Sequence, residues 1–168
     1  MPLSMSRAAL PTLVQILGAL DGLLDKASAF CEERKIDPAI LAGYRLAPDM
    51  FTLARQIQVA TDQAKGCVAR LAGIESPSFP DTETDLVQLK ARLARTLDFL
   101  HSVPADQVDG SEERVIEFKA GSRELSFTGE RYLLHWVLPN FMFHAVTAYD
   151  ILRHAGVPLG KRDFLGTF

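Results

Sequence analysis

From Leu10 the apolar residues return at Leu13, Leu17, Leu20, Leu24, Ala27 and Cys31, in steps of three and four that lay one continuous stripe along a helix. The spacing predicts a first helix ending near Lys35, where Asp37-Pro38 interrupts it. Ala39 to Gly43 is read as one or two further turns before Pro48 and Asp49 open a second long helix. Its stripe is Met50, Leu53, Ile57, Ala60, Ala64, Cys67 and Leu71, and Gly73 supplies a left-handed stop. Thr82 and Asp85 have capping-box spacing ahead of Leu86, Leu89, Leu93, Leu97 and Leu100, a third helix that stops before Pro104.

Beyond a polar loop, Ile116 and Phe118 alternate with charged residues, as do Leu125 and Phe127 across a turn containing Gly121. This pattern predicts a two-stranded hairpin, which needs the helices behind it because an isolated hairpin is marginal in water. Thr128 is placed to cap a fourth helix running from about Gly129 to Gly156. That helix is apolar on nearly every side, so it must be covered all round, either by its own bundle or by a second subunit. Pro139 lies inside it and is expected to kink it. The fold class that follows is mainly α, a four-helix bundle with a small β-hairpin between helices three and four, as one domain over residues 1–168.

Composition narrows the function more than the fold. Eighteen basic against twenty-one acidic side chains give a net charge of -3, which supplies no broad electropositive surface for nucleic acid. The most apolar segment, Leu133 to Leu152, carries His135, Pro139, Asn140, His144 and Asp150, a set that argues against a membrane span. Arg7 precedes a fairly apolar stretch, but Pro11, Gln15 and Asp21 break it, so no signal peptide is expected and the chain is read as cytoplasmic. Cys31 and Cys67 both fall on apolar stripes and are expected as buried free thiols rather than a disulfide. The basic, aromatic tail from Leu159 to Gly166 is expected to fold back on the bundle through Phe164 and Leu165.

Polar residues inside the apolar helix four are the candidate chemistry. Asn140 and His144 are four apart and share a face, with side chains about 6 Å from one another. His135 is nine residues from His144, on the opposite side, and His154 lies near the helix end, where its charge suits the macrodipole. Arg55, Gln58 and Asp62 form one stripe on helix two, which can oppose Asn140 and His144 if the two helices are neighbours. The expected site is a polar pocket of Gln58, Asp62, Asn140 and His144. No phosphate-binding glycine loop, paired CxxC, HExxH or nucleophile elbow is present.

Three blocks carry a resemblance over nearly the whole chain: Arg45 to Gln58 (RLAPDMFTLARQIQ), Leu138 to His144 (LPNFMFH) and Gly160 to Gly166 (GKRDFLG). They resemble an uncharacterised bacterial family of the DinB/YfiT-like superfamily. The resemblance implies a four-helix bundle, a homodimer, and a divalent metal such as zinc or nickel on three histidines, one from the second long helix and two, four apart, from the last. Here the last-helix pair is Asn140 and His144, and helix two has no histidine, with Gln58 or Asp62 in the corresponding region. An amide oxygen is a weaker ligand for zinc or nickel than an imidazole nitrogen, so at most Asp62 and His144 remain as metal ligands.

Three functions are compatible with this reading. The first is a small-molecule-binding bundle with a degenerate metal site. The second is a divalent-metal-dependent hydrolase or thiol transferase, with His144 as ligand and Asp62 as ligand or general base. The third is a structural homodimer.

Overall fold

The structure, a computed structural model, describes residues 3–167. Four long helices form the bundle: α1 (Met5–Arg34), α3 (Leu53–Ala72), α4 (Leu86–Ser102) and α7 (Leu138–His154). Short helices α2 (Pro38–Ala42), α5 (Ala105–Val108), α6 (Gly129–Arg131) and α8 (Lys161–Leu165) join or flank them, and the hairpin is β1 (Val115–Ala120) with β2 (Arg123–Thr128). In the bundle α3 packs against both α7 and α4, while α1 packs against α4 and α7. The second and last long helices are therefore neighbours. Leu13, Leu17, Leu20 and Leu24 of α1 are buried with Leu53, Ile57, Leu71, Leu89, Leu93 and Phe141 in one core. Each large aliphatic side chain taken out of water there contributes about 1.5–3 kcal/mol before the entropy of ordering is charged against it.

The stripe beginning at Leu10 belongs to a helix that starts five residues earlier. Pro11 is accommodated inside α1, and the free amide of Ser6 donates to Asp109 Oδ1 at 2.8 Å, so a carboxylate from beyond α5 closes the helix start. By length and composition α1 could cross a membrane. Its leucine stripe is instead the wall of the core. Lys35 stops the helix in the left-handed conformation (φ 55°), and Asp37 then caps α2 with Pro38 in its first turn.

Two helix starts differ from expectation. Pro48 and Asp49 lie in a loop, because Thr52 is the residue whose side chain accepts from the Arg55 amide and Leu53 N–H is drawn to Tyr44 O at 2.8 Å. Likewise α4 begins at Leu86 with Asp85 as its cap. Gln88 N–H donates to Asp85 Oδ1, and the Gln88 side-chain oxygen accepts from Thr84 N–H, displacing the expected box at Thr82.

The predicted hairpin forms, with Ile116 opposite Phe127 and Phe118 opposite Leu125. Phe118 and Phe127 pack on Tyr132 and Trp136, which is how the bundle supports two strands that could not stand alone. Thr128 occupies the cap position of α6 without a side-chain bond. The last helix runs through a π-turn, Tyr132–Val137, between α6 and α7. In it Leu138 N–H reaches Leu133 O, five residues back, so the chain bypasses the amide that Pro139 lacks. The last helix is also less covered than its composition implies, since Leu134, Phe143 and Val146 remain exposed. The tail does return to the bundle. Gln15 donates to Leu165 O, Lys26 pairs with Asp163 at 2.7 Å, and Phe164 meets Tyr149 edge-on, while the Leu165 side chain faces solvent.

Candidate functional site

Helix spacing brings Asn140 and His144 onto one side of α7, and α3 lies beside it, yet the four expected pocket residues do not meet. His144 is 9% exposed, and its Nδ1 lies 2.6 Å from Oε1 of Gln56. Asn140 spends its amide on the carbonyl of Trp136, one turn back, at 2.7 Å. Gln58 and Asp62 turn the other way, toward α4. Gln58 Nε2 donates to Glu83 Oε2 at 3.0 Å, and Asp62 accepts from Arg92 at 2.8 Å and pairs with Lys65 at 3.2 Å. The expected convergence is thus replaced by two separate polar centres, one at His144 and one at Arg92.

The Arg92 centre is the denser. Arg92 is fully buried in α4, where its Nε donates to Thr61 Oγ1 at 2.7 Å and its other nitrogens reach Glu83, Asp62, Asp81 and the carbonyl of Pro80. Arg55 adds hydrogen bonds to Gln58 and Asp81. Phe79 lies under the charges of Lys65, Arg92 and Arg95. Every charge here has a partner, and the arrangement fastens the loop between α3 and α4 to both helices. Sequence reading missed Arg92 because it followed Leu89 to Leu93. The alternative step, Leu89-Arg92-Thr96-Leu100, is the one that places a polar residue in the seam.

At the other centre, Gln56 holds His144 while its own NH2 reaches Phe51 O at 3.5 Å. The His144 ring stacks beside Phe51 (6.4 Å, 18°) and meets Phe143 edge-on (5.3 Å, 88°), and the Arg55 guanidinium lies over Phe51. Gln56 falls within the series Leu53, Gln56, Ala60, Ala64, a polar interruption of the buried stripe that could have been noticed. His135 is exposed on the π-turn and His154 stacks on Tyr44, so neither joins His144. Cys31 and Cys67 are buried free thiols as expected, and burial pushes Cys67 up to about 12, which removes it as a nucleophile.

Burial, and then the nearby charge of Arg55, push the His144 pKa below its ordinary 6.5. The unfolded chain therefore takes up this proton first. Its contribution to stability is complete above about pH 6.5 and is lost as the pH falls from there toward the folded value. Urea midpoints measured from pH 7.5 to 5 should show a shallower loss in His144→Gln than in the parent chain. Equal slopes would mean that His144 is not held neutral.

A divalent metal does not fit these side chains. His144 and Asp62 belong to different hydrogen-bond systems, Asp62 being neutralised by Arg92 and Lys65. Among the described residues no group of three or more His, Cys, Asp or Glu could hold an ion. Cavities of about 540 and 470 Å³ lie elsewhere, the first between α1 and α8 beside Gln15 and Gly22, the second on the hairpin beside Phe118 and Leu125.

The architecture is that of a DinB-like helical bundle. A crystal structure of a DinB family member protein from Shewanella denitrificans superposes on it with a TM-score of 0.86 at 36% sequence identity, covering 97% of this chain and 92% of that one. The sequence profile of the family described as Domain of unknown function (DUF1993) matches residues 5–165, and the chain belongs to that family. No curated protein matches the sequence.

Proposed function

We propose that this DinB-like protein binds a small organic molecule at the α3–α7 seam, centred on His144 and Gln56 with Asn140 one turn away, and does so without a metal. The observation that carries this reading is a polar pair, His144 and Gln56, held at 2.6 Å in the middle of half-exposed aromatic residues. A core needs no such pair, since apolar side chains of similar volume fill a seam at no desolvation cost. Gln58 serves the site indirectly, because Gln58 and Asp81 orient the Arg55 guanidinium that lies against Phe51, while Asp62 belongs to the Arg92 centre.

A second reading is favoured by the apolar surface around the same residues. Phe51 is 50% exposed and Phe143 59%, with Val146 one turn beyond, a patch that a second copy of the chain would cover as a homodimer. One experiment separates the two. In a thermal-shift screen of metabolites, hits should raise the melting temperature of the parent chain and lose most of that shift in His144→Ala and Gln56→Leu, while light scattering shows the same mass with and without ligand. Hits indifferent to both substitutions would end the binding reading. A concentration-dependent dimer abolished by Phe143→Lys, with no hits, would favour the second.

A further inference from the structure

The hydrogen bonds of Gln56 determine which nitrogen of His144 carries the proton. The carbonyl oxygen of Phe51 can only accept, so the carboxamide turns its NH2 toward that oxygen, at 3.5 Å, and its own oxygen toward the imidazole. An amide oxygen is also only an acceptor. At 2.6 Å from Nδ1 it requires the ring proton on Nδ1, which in a neutral imidazole leaves Nε2 with a bare lone pair. Burial and the charge of Arg55 keep the ring neutral near pH 7. The surroundings of that ring are aromatic, with Phe51 along one face, Phe143 at an edge and the Arg55 guanidinium 5.7 Å from the centre of the Phe51 ring.

We propose that the His144 site takes a planar aromatic molecule bearing an O–H or N–H donor, which hydrogen-bonds to Nε2 of His144 and packs against Phe51 and Phe143. This rests on the seam being a binding site and adds the polarity that a ligand must have. Gln56 is the positioning residue. It touches the ligand only through the tautomer that it imposes. A molecule offering nothing but acceptors would bring lone pair against lone pair at Nε2, and the site has no free donor on His144 with which to compensate. Phe51 is half-exposed at the end of the loop before α3, and His144 Nε2 is not among the fully buried side-chain atoms that lack a partner, so the nitrogen is within reach of solvent.

The test uses the full chain labelled with ¹⁵N-histidine and needs no knowledge of the natural ligand. His144 is distinguished from His101, His135 and His154 by the signal lost in His144→Phe. Near pH 7.5, nitrogen resonances of the parent chain should report a protonated Nδ1 and a bare Nε2. Gln56→Glu, which keeps an acceptor, should retain that pattern, and Gln56→Leu should give a mixture. Phenol and its methyl ether, anisole, are then titrated as a pair in which a methyl group replaces the donor hydrogen. Phenol should move the His144 resonances with an affinity about tenfold better than anisole, the size of one net hydrogen bond, and the preference should shrink to about threefold or less in Gln56→Leu. A protonated Nε2 in the parent chain, equal affinity for the two probes, or no movement of His144 by either would each overturn the proposal. If metabolite hits still depend on His144 while phenol and anisole are equivalent, the assigned polarity is wrong and the binding site stands. Hits that ignore His144→Ala remove the binding site itself.

Discussion

Replacement of Arg92 by alanine is expected to destabilise the protein by about 3–5 kcal/mol, the range for breaking a buried ion pair by removing one partner. The loss comes from what is left behind. Glu83 is 5% exposed at its side chain, and without Arg92 it retains only the Gln58 amide and Arg95 at 3.5 Å, on a side chain that is half in solvent. Asp62 and Asp81, both more than a third exposed, can rehydrate and add little. Arg92→Lys should fall between parent and alanine, because a single ammonium cannot serve Thr61, Glu83 and Asp62 together. In the double variant Arg92→Met with Glu83→Met, the loss should be well below the sum of the two single losses, since no buried charge remains unpaired. Urea unfolding at pH 7 of the parent, Arg92→Ala, Arg92→Lys, the two single methionine variants and the double variant measures all of these. A loss below about 1 kcal/mol for Arg92→Ala would mean that the loop between α3 and α4 is held by its apolar contacts alone.

Gly129→Ala is expected to be nearly as damaging, at about 3 kcal/mol, for a steric reason. A Cβ at Gly129 would stand 1.9 Å from the carbonyl oxygen of Ser111 and 3.4 Å from Leu71. The first of these is backbone, and it cannot swing away as a side chain would. Ser111 is buried with its hydroxyl on Val108 O, and the next residue accepts from Glu130 N–H at 3.0 Å, so the two chain segments lie backbone against backbone. Relief requires the hairpin and its preceding loop to move off the end of α3. Gly22→Ala is the matched control. Gly22 lies inside α1 with nothing within 4 Å of the added atom, and alanine there should stabilise by about 0.5–1 kcal/mol. Thermal unfolding of both variants reads the contrast, and equal, small effects would show that the segments at Ser111 and Gly129 are not in contact.

The bundle was legible because it is written in repeated apolar spacings that few other folds can satisfy. Leu13, Leu17, Leu20 and Leu24, and likewise Leu53, Ile57 and Leu71, occupy the core that their intervals imply. Helix starts were less legible, since a cap depends on one local bond. Thr52 and Asp85 won over Pro48 and Thr82 because their side chains reach an amide three residues on. The candidate site was legible only at His144. A spacing of four residues says that Asn140 and His144 share a face, but not that the carbonyl of Trp136 will take the Asn140 amide. Nor does it say that a buried guanidinium on α4 outcompetes a neutral imidazole for Asp62, as the charge difference dictates. Gln56 and Arg92 were hidden for the same reason. Each sits next to an apolar residue, Ile57 or Leu93, that is itself buried, and only the neighbouring helices show that the polar member faces inward as well.

The π-turn at Tyr132–Val137 has a bearing on how the last helix divides its work. A wider turn adds one residue to the winding and so rotates everything downstream by roughly 100° relative to an unbroken α-helix. Tyr132 and Trp136 can thereby address the hairpin while His144 is aimed independently at Gln56 of α3. The segment behaves as a phase adjuster between two fronts of one rod, and a helical wheel drawn straight through Pro139 would assign one of those fronts to the wrong neighbour.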